Sequence, residues 1–155
     1  MKVLLATVSH RQPDWVASAC AEYERRLPRS WGFRIVEVKP EARTSGASPE
    51  RVKAGEAQRL RAALPKGARV IALDERGEPW STRDLASRFE RWSQEGRDLA
   101  FVVGGADGLD PQLCSDAEHR LSLSAMTLPH GLVRVLLVEQ IYRIATLLQG
   151  HPYHK

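Results

Sequence analysis

The sequence lacks several things that would decide its class at once. Only two cysteines occur, Cys20 and Cys114, in no paired spacing, so neither a disulfide framework nor a zinc site is indicated, and a reducing cytoplasm is the expected compartment. No G-x-G-x-x-G follows the first apolar run and no G-x-x-x-x-G-K-[ST] is present, which argues against classical dinucleotide binding and P-loop chemistry. No Ser-His-Asp or Cys-His pattern stands out, and His151-x-x-His154 has no further ligands nearby, so hydrolase and metal-centre readings are weak and no metal is expected. No apolar run is long and uncharged enough to span a bilayer. Met1–Val8 is too short and passes into Ser9, His10 and Arg11, so it reads as a strand rather than a signal peptide. Leu132–Leu148 carries Arg134, Glu139 and Arg143, whose charges would be costly in lipid.

What is present describes an ordinary globular chain. The 155 residues are 27% charged and 43% apolar, enough for one domain, residues 1–155, with its own core. Net charge is +4, but residues 1–69 hold 14 Lys and Arg against 7 Asp and Glu, and residues 70–155 hold 9 against 12. The electropositive first half fits a polyanionic partner such as RNA, or simply a solvated surface.

Strand-like runs occur at Val3–Val8, Phe33–Val38, Arg69–Leu73, Leu99–Val103 and, more weakly, Leu121–Leu123. Between them lie helical patterns. Trp15, Val16, Ala19, Cys20, Tyr23 and Leu27 share one face before Pro28. Ser48-Pro49 opens a helix to about Leu64, Ser81 with Asp84 opens another, and Asp110-Pro111 a short fourth. This alternation predicts an α/β fold, a mostly parallel sheet with helices on both faces. The last helix, about Leu132–Leu148, is apolar almost all round and must bury both sides. A two-fold dimer interface and a central helix wholly inside one chain are the two readings.

An open parallel sheet binds ligands at the carboxyl ends of its strands. Three segments fall there: Ala72–Glu75, Val103–Gly108 and Leu123–His130. Gly104, Gly105 and Gly108 suit either a close backbone approach to a ligand or a plain tight turn.

Four stretches carry a resemblance. They are Ser122–Arg143 (SLSAMTLPHGLVRVLLVEQIYR), Phe101–Leu109 (FVVGGADGL), the ending His151–His154 (HPYH) and Pro13-Asp14-Trp15. Together they resemble the RlmH type of SPOUT methyltransferase, over the whole chain. The resemblance implies a carboxyl-terminal trefoil knot, S-adenosylmethionine as cofactor, and methylation of N3 of a pseudouridine in helix 69 of 23S ribosomal RNA, while the homodimer is expected from the apolar last helix. Carried over, the cofactor contacts fall on Leu73, Gly104, Gly105, Leu123, Ser124, Ala125, Met126, Thr127 and Leu128. One departure is Gly131, where members often have proline, which implies a less rigid start to the last helix.

An imide nitrogen must lose its proton before accepting a methyl group, so cationic or hydrogen-bonding groups near its carbonyls are wanted. Arg143, Tyr153 and His154 are the catalytic candidates, with His130 and Lys155 also considered. For His130 the plainer role is a helix-start hydrogen bond, and for Arg143 an i to i+4 pair with Glu139. The tail 151–155 either closes over the cofactor, in its own or the partner's pocket, or frays. Two rival functions stay open, a methyltransferase of the same fold acting on another RNA and a non-catalytic ribosome-binding protein.

Overall fold

A computed structural model describes residues 1–155. The apolar runs become one five-stranded sheet, β1 (Val3–Val8), β2 (Arg34–Val38), β3 (Arg69–Pro79), β4 (Leu99–Val103) and β5 (His119–Ser122). Its order is β2-β1-β4-β3-β5 with every pairing parallel. Such strands need covered crossovers, and five helices supply cover: α1 (Asp14–Glu24), α2 (Pro49–Ala63), α3 (Thr82–Glu95), α4 (Pro111–Asp116) and α5 (His130–Leu148). No helix is long and apolar enough to cross a membrane.

The handedness of the crossovers decides which helix covers which face. Moving from β1 to β2 and from β3 to β4 takes the chain one way across the sheet, and α1 and α3 make those links. Moving from β2 to β3 and from β4 to β5 takes it the other way, through α2 and α4. The core divides accordingly. Val3, Leu5, Ile71, Leu99, Phe101 and Val103 pack against α1, α3 and α5. Their alternates Leu4, Ala6, Val8, Ala72, Ala100 and Val102 pack against α2 and α4. Three alanines on that second face let the two helices lie close.

Local chemistry sets the helix starts as expected. The Ser48 hydroxyl accepts from the Arg51 N–H with Pro49 in the first turn. Ser81 and Asp84 form a reciprocal capping box, and the Asp110 carboxylate accepts from the Leu113 N–H.

Ends differ from expectation in three places. α1 stops at Glu24, because the Arg26 and Leu27 amides bond three residues back, to Tyr23 and Glu24, tightening the chain into a turn. β3 continues past Leu73 to Pro79, and its pairing with β5 breaks between Leu73 and Glu78. Residues 74–77 bulge out, and a Cβ on Gly77 would stand 2.7 Å from the Arg120 backbone, so glycine permits the approach. β5 itself starts two residues earlier than the apolar letters suggest.

α5 buries Leu137, Val138, Ile141, Ile144 and Ala145 in its own chain, against α1 and α3. Part of its apolar surface stays uncovered: Leu132, Val133 and Val135 are half-buried, and Leu136 and Leu148 are exposed. Gly131 has a packing reason. A Cβ there would stand 2.8 Å from Gln12 Oε1 and 2.9 Å from Val16 Cγ2, so glycine lets α5 start tight against α1 rather than loosening it.

Phe101 is fully buried on the central strand, its ring 6.2 Å from that of Phe89. Phe101→Ala is expected to cost about 3–5 kcal/mol in denaturant unfolding, against about 1 kcal/mol for Ser81→Ala at the exposed cap. Equal costs would place the core elsewhere.

Candidate functional site

Because all five strands run the same way, the loops that leave their carboxyl ends share one edge. The bulge at 74–77, the turn after β4 and the segment after β5 meet there around a cleft of about 660 Å³, within the range of about 300–1,000 Å³ usual for small-molecule sites. Leu73, Gly104, Gly105, Leu123, Ser124, Met126, Thr127 and Leu128 all line it. Ala125, exposed in the same segment, does not.

The turn after β4 is built backbone against backbone. A Cβ on Gly104 would meet the Gly108 carbonyl carbon at 2.5 Å and the Leu109 nitrogen at 2.7 Å. Gly108 has φ +85°, and its N–H donates to Gly105 O at 3.0 Å. The glycines therefore make a tight turn and also leave its outer side bare to the cleft. The segment after β5 holds its shape through serine. Ser122 Oγ donates to Ser124 O at 2.9 Å, and Ser124 Oγ accepts from the Met126 N–H at 2.9 Å. Thr127 Oγ1 reaches Glu75 at 3.4 Å, tying this segment to the β3 bulge.

His130 completes the edge. Its Nε2 lies 2.9 Å from Gly104 O and 3.3 Å from Thr7 Oγ1. A carbonyl only accepts, so Nε2 carries the hydrogen. Burial holds the imidazole below its ordinary pKa, against the Gly104 carbonyl, which favours the charged form. His130 thus joins the start of α5 to the ends of β4 and β1, instead of capping its own helix. Nearby, buried Arg134 pairs with Glu37 at 2.8 Å and donates to Ser9 Oγ at 2.7 Å.

Charged groups that the sequence reading did not single out also face the cleft. Lys53 comes from α2, Arg76 from the β3 bulge and Arg120 from β5. Burial works against the Asp74 carboxylate, but the Arg76 N–H at 3.0 Å and the Arg120 guanidinium outweigh it and hold its pKa low. Arg120 was findable from strand alternation in β5. Lys53 had no local signal, since only the α2 crossover brings it near.

The catalytic candidates assemble at the other end of the molecule. α5 runs antiparallel to the strands, and its 19 residues span about 28 Å. Arg143 therefore lies about 20 Å along the helix from His130, out of reach of its own chain's cleft. It pairs with Glu139 through two nitrogens at 2.9 and 2.7 Å, as the i to i+4 spacing suggested. The tail folds back on this pair as a short 3-10 turn, Pro152–His154. Tyr153 donates to Glu139 at 3.2 Å, lies under the Arg143 guanidinium at 4.9 Å and packs against Tyr142 at 4.7 Å. Burial, with Tyr23 and Glu139 beside it, pushes the Tyr153 hydroxyl up to about 12. His154 Nδ1 bonds His151 O at 2.5 Å.

No three His, Cys, Asp or Glu side chains converge to hold a metal ion. A family model described as "Predicted SPOUT methyltransferase" matches residues 1–154. Proteins named "Ribosomal RNA large subunit methyltransferase H" from Burkholderia ambifaria and Burkholderia vietnamiensis are each 53% identical over 155 residues, covering all of this chain and 99% of theirs. The fold is shared with a protein from Bordetella pertussis Tohama I described as a probable methyltransferase, at TM-score 0.58 and 20% identity, covering 93% of this chain and 96% of that one. A chain from a study of "the 2-OH methylation of C/U34 on tRNA" aligns at TM-score 0.55 and 19% identity, over 97% and 99%. With a glycine turn, a serine-built loop and a β3 bulge closing one cleft at the strand ends, and a match running the length of the chain, this protein belongs to the RlmH-type SPOUT methyltransferases.

Proposed function

We propose that this chain, as one domain over residues 1–155 and as a cytoplasmic homodimer, methylates 23S ribosomal RNA with S-adenosylmethionine, at N3 of a pseudouridine in helix 69. One observation carries the reading: the three strand-end segments expected to hold the cofactor meet in a single cleft. The substrate class follows the name of relatives 53% identical over their whole length, and the finer target follows the motif resemblance.

The cleft suits the cofactor. Leu73, Leu123, Leu128 and Val133 supply apolar wall, and the bare glycine turn supplies backbone groups that read an adenine edge without polar side chains. When bound, the cofactor supplies the activated methyl group. The chain's own task is to hold the nucleophile in line and ease loss of its proton, each unit of lowered pKa being worth about 1.4 kcal/mol. Arg143, Tyr153 and His154 are suited to that, as a cation, a hydroxyl donor and a proton acceptor. Their distance from the cleft in one chain points to action across the dimer. Pairing α5 with a two-fold copy through Leu132, Val135 and Leu136 would cover the apolar stripe left open and bring one protomer's tail toward the partner's cleft. The trefoil knot belongs to the same reading, supported by the passage of residues 123–129 from the β5 edge to the ends of β4 and β1.

Gly105→Val is expected to abolish cofactor binding in calorimetry, and parental affinity would move the cofactor elsewhere. Leu136→Glu is expected to shift sedimentation at micromolar concentration toward monomer and to abolish methylation, while a parent already monomeric would defeat the dimer. Deletion of residues 151–155 is expected to leave folding and cofactor binding intact while methylation of ribosomal RNA, read by mass spectrometry, falls at least 100-fold, about 2.7 kcal/mol. Mixed dimers of deleted and Gly105→Val subunits should regain activity if the tail serves the partner's cleft.

A further inference from the structure

Beneath the glycine turn lies a carboxyl group for which the methyl-transfer reading has no use. Glu56 is 5% exposed and shares the sheet-facing side of α2 with Val52, Ala57 and Leu60. An acidic residue on such a stripe is costly unless its oxygens are matched, and only one is. Oε1 accepts from the Glu41 N–H at 3.3 Å, while Oε2 has no hydrogen-bond partner. Both oxygens press on the turn. A Cβ built on Gly105 would stand 2.9 Å from Oε2, 3.1 Å from Oε1 and 3.2 Å from Val8 Cγ1.

The groups around Glu56 join two loops. Arg59 pairs with Glu41 at 2.9 Å and donates to Lys39 O at 2.8 Å, fixing the segment between β2 and α2. Arg43 of that segment pairs with Asp107 of the turn at 2.8 Å. Arg43 is exposed, which weakens that pair, so the buried contact of Glu56 with Gly105 sets the turn's place. Burial, chiefly, and then Asp107 push the Glu56 carboxyl above its ordinary pKa, against the Glu41 N–H, Arg43 and Arg59.

We propose that Glu56 is a positioning residue for cofactor binding: its carboxyl is the floor on which Gly105 rests, keeping the Gly104–Gly108 turn in the shape that offers its backbone to the cleft. The proposal rests on the reading of that cleft as the S-adenosylmethionine site. A planar carboxyl is thin enough to lie flat against a glycine Cα, and the Glu41 N–H keeps it from swinging away. An apolar side chain of equal length has no such tether. Burial and then Asp107 favour the neutral carboxyl over the ionised one. With the folded value raised, the seated arrangement is fully favoured below the ordinary carboxyl pKa and weakens as pH rises through the raised one.

Hydrogen exchange in the cofactor-free protein reads the turn, and calorimetry with S-adenosylmethionine reads the site. Glu56→Ala is expected to speed exchange of the Gly108 amide about tenfold and to raise the cofactor KM about tenfold, with kcat within about twofold. Glu56→Gln, neutral throughout, is expected to match the parent below the ordinary carboxyl pKa and to escape the loss of affinity the parent shows as pH rises through its raised one. Gly105→Ala is expected to weaken binding, and adding Glu56→Ala to restore part of it, since the new methyl enters the vacated space. Additive single effects with unchanged exchange would overturn the proposal. If Glu56→Ala fails to fold by circular dichroism, the pH profile of Glu56→Gln decides: a flattened profile supports the role and a parental one overturns it. A parent that does not bind S-adenosylmethionine defeats the reading of the cleft, whereas a binding parent with an additive cycle defeats only the role of Glu56.

Discussion

Burial of β1 and β4 on both faces is the constraint from which the rest follows. Every residue of both strands is buried, which requires helices above and below and so makes each crossover return antiparallel to the sheet. All loops leaving the strands then gather on one edge, where the cleft forms. The same geometry sends α5 away from that edge, with its start pinned by His130 to Gly104 and Thr7 and its end carrying Arg143 and the tail to the far side.

Both edges of the sheet hold buried polar groups that are only partly matched. At the amino edge Arg69 bonds Glu95 at 2.6 Å and Glu118 at 3.1 Å and lies 5.0 Å from the centre of the Trp92 ring. It fastens β3, α3 and β5 together, and its Nη1 has no partner. At the carboxyl edge Glu56, His130 and Arg134 each keep one buried polar atom without a partner.

Much of this was legible beforehand because it depends on short-range chemistry. Ser48-Pro49, Ser81 with Asp84, and Asp110-Pro111 start their helices as their side chains dictate. Val3–Val8 and Leu99–Val103 are continuous apolar runs because both their faces are covered. β5 was misplaced because His119 and Arg120 pair with β3 through their backbones, and their polar side chains disguise a strand. The bulge at 74–77 was hidden for a related reason, since it depends on the partner strand and on Gly77 meeting the Arg120 backbone.

The α/β class, the helix caps, the strand ends that form the cleft and the motifs that mark the family can all be read from the chain alone. All of these arise from patterns within a few residues or from stretches read whole. It took the folded chain to put Glu56 of α2 under Gly105, to bring Gln12 and Val16 against Gly131, and to set Arg143 and Tyr153 a helix length from the cleft. Those relations join residues far apart in the chain, and they are set by crossover handedness and helix direction, which no local pattern records.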